Sequence, residues 1–70
     1  MKNDSSGQIQ KEHYSEMKIE PVDFIISNTI DFCEGNVIKY VSRHKKKNGA
    51  EDIKKAIHYL QIILKSTYNE

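Results

Sequence analysis

The chain has 70 residues, a formal net charge of +1, 37% hydrophobic residues and 30% charged ones. This size holds one domain and excludes a two-lobed enzyme with a cleft between domains. No run nears the roughly 20 apolar residues of a membrane-spanning helix, and the single cysteine, Cys33, excludes an intrachain disulfide. So short a chain has a small core, so oligomerisation is the expected source of added stability. The polar start, Met1 to Gln10, lacks the apolar centre of a signal peptide, which predicts a cytosolic protein.

The near-neutral total hides an asymmetry. Residues 1–35 carry three lysines against seven acids, and residues 36–70 carry eight basic residues against three acids. Either the halves neutralise each other within one fold, or the second half meets an anionic partner or a second chain.

In chain order, residues 1–12 read as a loosely attached tail, rich in Asn, Asp, Ser and Gly. A short strand near Met17–Ile19 is one reading of the stretch that follows. The first helix is expected from Pro21 to about Phe32, with proline at the first position and Asp23 in the first turn. Its apolar face would hold Val22, Ile25, Ile26, Thr29 and Phe32. Gly35 is expected to end it with positive φ, and Asn36 to cap the next helix, which runs to about Lys46. There Val37, Ile38, Tyr40 and Val41 face inward, and Lys39, Ser42, Arg43 and Lys46 face outward. Asn48-Gly49 makes the turn into a third helix from Ala50 to about Ser66. Ile53, Ala56, Ile57, Leu60, Ile63 and Leu64 follow its helical period, and Tyr59 and Ile62 widen the apolar face. That surplus suggests a helix-to-helix contact between chains. The domain is then 13–66, with 67–70 a short tail. The fold class is all-α, a three-helix bundle with a flexible N-terminal arm, and oligomeric.

Familiar catalytic motifs are absent: there is no P-loop, no GxGxxG, no HExxH and no paired cysteines. Cys33 reads as a packed thiol, since nothing places a base beside it. The most informative stretch lies on the middle helix. Lys39 and Arg43 are four apart, with Lys46 a further step along, which makes a cationic stripe suited to phosphate oxygens. Asn36 would add free N–H groups at a helix start, and Tyr40 an aromatic face for a base. The alternative is a solvated helix face ending in a basic turn. His13 and Tyr14 are either an anchor for the arm or part of an arm closing on a ligand. His44 and His58 read as boundary residues. Asp23, Glu51 and Asp52, with Glu20, are the acids able to hold Mg²⁺ through carboxylate oxygens, and are equally explained as first-turn helix acids.

The spaced pattern His13-Tyr14, Glu20-Pro21-x-Asp23-Phe24-Ile25, Phe32-x-x-Gly35-Asn36-x-Ile38-Lys39-Tyr40-Val41-x-Arg43 and Lys47-x-Gly49-x-Glu51-Asp52-x-Lys54-Lys55-Ala56-x-x-Tyr59-Leu60 resembles a small bacteriophage domain family of unknown function. That family includes a segment of the nucleotide kinase of T-odd coliphages, which phosphorylates deoxynucleoside monophosphates without a P-loop. The resemblance covers about residues 12–64. It implies a phage protein, in the cytoplasm of its bacterial host, that binds a nucleotide. On this reading His13, Tyr14, Asn36, Lys39, Tyr40, Arg43 and Lys46 form the nucleotide site, and Asp23, Glu51 and Asp52 the Mg²⁺ ligands. A site shared between subunits would let so small a domain enclose donor and acceptor. The competing expectation is a non-catalytic module that binds a host or phage protein through its helical surface. The modest net charge argues against nucleic acid as the partner.

Overall fold

The computed structural model describes residues 17–70, so the expectations for the tail, His13 and Tyr14 lie outside the described residues. The described chain is helical and contains no strand. Met17–Ile19 forms bends instead of the short strand read from the sequence. Three helices follow: α1 Pro21–Ser27, α2 Phe32–Arg43 and α3 Ala50–Tyr68, with one 3-10 turn, His44–Lys46, between α2 and α3. The helices α2 and α3 form the main contact, and α1 packs on α2.

α1 stops five residues earlier than its apolar spacing predicts. Thr29 takes a left-handed φ of 52°. Its N–H donates to the Ile26 carbonyl and that of Ile30 donates back to Ile25, so the turn satisfies the carbonyls that α1 leaves open. The Asn28 side chain adds a bond to the Phe24 carbonyl. Two residues on, Asp31 caps α2 by accepting from the Glu34 N–H at 2.9 Å. Asp31-x-x-Glu34 is the spacing of a capping box, although only the Asp31 half of the exchange is seen.

The early start of α2 overturns two expectations. Gly35 does not end a helix with positive φ. It lies buried inside α2, where a Cβ would meet the Cγ2 of Ile25 at 3.1 Å. The missing side chain lets α1 approach the α2 backbone. Nor does Asn36 cap a helix: it lies within α2, and its side-chain amide donates to the Phe32 carbonyl one turn back.

α3 agrees with its expected start and runs two residues beyond Ser66, to Tyr68. Gly49, at φ 56°, makes the turn before it, and Asn69, at φ 59°, ends it. The helical period places Ala56 correctly: it is buried, at 3% exposure. Ile57, Leu60 and Leu64, expected on the same inward face, each stay nearly half exposed. Val41, also expected inward, is 47% exposed. Near the end of α2, Arg43 reaches across to α3, which turns the Tyr40–Arg43 side inward and leaves Val41 outside.

Candidate functional site

The site grows from the turn between α2 and α3. Asp52, in the first turn of α3, has no exposed surface. Its carboxylate accepts from Arg43 through Nε to Oδ2 and Nη2 to Oδ1, both at 3.3 Å. It also accepts from the Asn48 N–H at 3.1 Å. One buried carboxylate thus ties the last residue of α2, the turn and the first turn of α3. Burial pushes the Asp52 carboxyl up. The Arg43 and Asn48 hydrogen bonds and the charges of Arg43 and Lys55 outweigh that effect and hold it below the ordinary aspartate value.

Above this pair stands an aromatic group. Tyr40 stacks on Tyr59 with ring centroids 6.2 Å apart and planes 12° from parallel. Phe32 meets the same Tyr59 edge-on at 5.9 Å, and His58 does so at 5.6 Å. Three cations gather on the Tyr40 ring: Lys39 Nζ at 4.7 Å from its centroid, Arg43 Cζ at 4.8 Å and Lys55 Nζ at 5.3 Å. The negative face of an aromatic ring attracts each cation by about 0.5–1 kcal/mol when exposed. Asp52 neutralises Arg43. Among the described residues, neither Lys39 nor Lys55 has a carboxylate within ion-pair distance. Two lysine charges from different helices therefore converge beside a neutralised arginine.

Several expected site residues take other positions. Arg43 does not present its fork to solvent, because Asp52 occupies it and its side chain is only 18% exposed. Tyr40 shares its ring with three cations and Tyr59, so it gathers charge and does not offer an open surface to a base. Lys46 lies in the 3-10 turn beyond the end of α2, not on the helix that carries Lys39 and Arg43. Asn36 offers no helix N-terminus, as the start of α2 lies at Asp31 with Glu34 in its first turn, and two acids there disfavour an anion. Asp52 serves Arg43, not a metal. Asp23 and Glu51 are exposed on separate helices, and no group of three or more His, Cys, Asp or Glu could hold a metal among the described residues. Lys55 was not singled out from spacing. Its signal was its place one turn beyond Glu51 in the Lys54-Lys55-Ala56 run, opposite the basic face of α2.

A family model described as a protein of unknown function (DUF3310) matches residues 8–61. The chain belongs to the DUF3310 family. Its match spans α1, α2, the turn and most of α3, so every residue of the Tyr40 group lies within the family domain. No curated protein gives a significant match, and no solved structure does. Among the described residues, no helix is long and apolar enough to cross a membrane.

Proposed function

We propose that this DUF3310 chain is a phage nucleotide-binding protein, and that Lys39 and Lys55 receive the ligand's phosphates beside Tyr40. The observation that carries this reading is the meeting of the two lysines from α2 and α3 on one ring. Among the described residues neither ammonium has a carboxylate within ion-pair distance, so both charges are open to the oxygens of a phosphate. The resemblance to the coliphage nucleotide kinase supports a nucleotide as the phosphate's carrier. Arg43 is a positioning residue here: it holds Tyr40 and Asp52.

The test is thermal unfolding of the full chain with nucleoside mono-, di- and triphosphates, with and without Mg²⁺. A ligand at 100 times its Kd raises stability by about 2.7 kcal/mol, a shift of several degrees for this size. The shift is expected to vanish in the Lys39→Ala, Lys55→Ala double variant with helix content unchanged by circular dichroism. No shift with any nucleotide would refute the reading. Phosphoryl transfer from ATP to dTMP or dGMP, followed by chromatography, tests turnover separately.

A second reading, a module that docks on a host or phage protein, draws on Phe24, Ile26 and Phe32. These are 44%, 70% and 73% exposed around α1 and the start of α2. A silent nucleotide panel favours it.

A further inference from the structure

α3 carries an apolar seam that its own hairpin does not cover. Ile53, Ile57, Leu60 and Leu64 follow one another at spacings of four, three and four. That is the 3.5-residue repeat of a helix facing another helix along its length. The seam lies about a quarter turn around α3 from the Asp52–Ala56 line that faces the fold. Ile57, Leu60 and Leu64 are 48%, 47% and 46% exposed, and Ile53 is half-buried.

We propose that this seam pairs α3 with α3 of a second copy, antiparallel, about a twofold axis at the level of His58 and Tyr59. Three observations select that occupant and direction. A four-three-four spacing reads the same from either end. An antiparallel copy therefore sets Ile53 against Leu64 and Ile57 against Leu60 in four layers, with no polar residue in any of them. Charge excludes the parallel arrangement, which would bring the two Lys45–Lys47 turns together. The antiparallel one carries that basic turn to Glu70 and the carbonyl end of the other α3, where cations are favoured. On the flank, Lys54 then faces Gln61 of the second copy, not another lysine. The area fits a weak, concentration-dependent pairing: four partly exposed aliphatic side chains and the adjoining Tyr68 on each copy fall somewhat below the roughly 1,000 Å² in total that marks a stable interface. α3 is already ordered by its contact with α2, so pairing does not bear the cost of helix nucleation.

The proposal does not depend on nucleotide binding, and its test reads mass and distance. Light scattering on the sized full chain, from low micromolar to several hundred micromolar, is expected to give twice the chain mass at the upper end. Leu60→Glu places a carboxylate in the central layer and is expected to give the single-chain mass with helix content unchanged. A spin label at Thr67→Cys, in a Cys33→Ser background, reads direction. Antiparallel helices set the two labels roughly 25–30 Å apart, whereas parallel ones set them under about 15 Å. A single-chain mass for the unaltered protein at every concentration overturns the proposal; it is the outcome expected if the chain's first sixteen residues cover the seam. A Leu60→Glu variant that keeps the double mass, or a short label distance, overturns it equally. Should Leu60→Glu fail to fold, the label distance decides.

Discussion

The two inter-helix turns solve one geometric problem by different means. Each needs a residue with positive φ to reverse the chain. Between α2 and α3 it is Gly49, which adopts that backbone without a clashing side chain. Between α1 and α2 it is Thr29, a β-branched residue in a conformation that costs an ordinary side chain about 1–2 kcal/mol. The polar support differs too. The second turn closes on the buried Asp52, held by Arg43 and the Asn48 N–H, whereas the first relies on exposed caps from Asn28 and Asp31. The second turn also positions the lysines of the candidate site, so the better-made turn is the one beneath it.

The largest expected effect comes from removing the ion pair. Arg43→Ala leaves a buried carboxylate without its counterion, which is far worse than never having had the pair. The cooperative thermal transition is expected to disappear, and a variant that melts like the parent would refute the structural role of this pair. Acid probes the same feature. The folded Asp52 carboxyl lies below its ordinary value, so its contribution is complete above about pH 4 and drains away as pH falls through the folded value. Tm is expected to hold from pH 7 to 5 and drop below about pH 4, with a flatter acid limb in Asp52→Asn.

Smaller effects separate the turns themselves. Gly49→Ala forces a side chain into the left-handed region and is expected to cost about 1–3 kcal/mol by denaturant unfolding. Asp31→Ala removes the α2 cap and is expected to cost about 0.5–2 kcal/mol. Thr29→Gly runs the other way: relief of strain exceeds the added freedom of the unfolded chain, for a gain of about 0.5 kcal/mol. Results of opposite sign at positions 29 and 49 would sharpen the comparison, while a loss at both would break it.

The same contrast explains what the sequence could disclose. The period of α3 and the Asn48-Gly49 turn are local signals, and both place the element well. The end of α1 was obscured because Thr29 and Phe32 continue an apolar spacing that the backbone abandons. The Asp31-x-x-Glu34 spacing was the available clue, and Gly35-Asn36 beside it looked more like a break. Arg43 and Asp52 are nine residues apart on different helices, a partnership that no single-helix periodicity contains. Reading each separately made one a phosphate fork and the other a metal ligand. Lys55 joins the site for the same reason of tertiary proximity. The part of the site that was legible, Lys39 with Tyr40, lies within one turn of one helix.

Gly35 gives the smallest helix an unusual kind of anchorage. Ile25 rests against bare backbone, in the space a methyl group would fill. No rotamer change on α2 can lift that seat, because nothing there rotates. A single added carbon would press on the Ile25 methyl at 3.1 Å, so the side chain that seats α1 would have to give by a few tenths of an ångström.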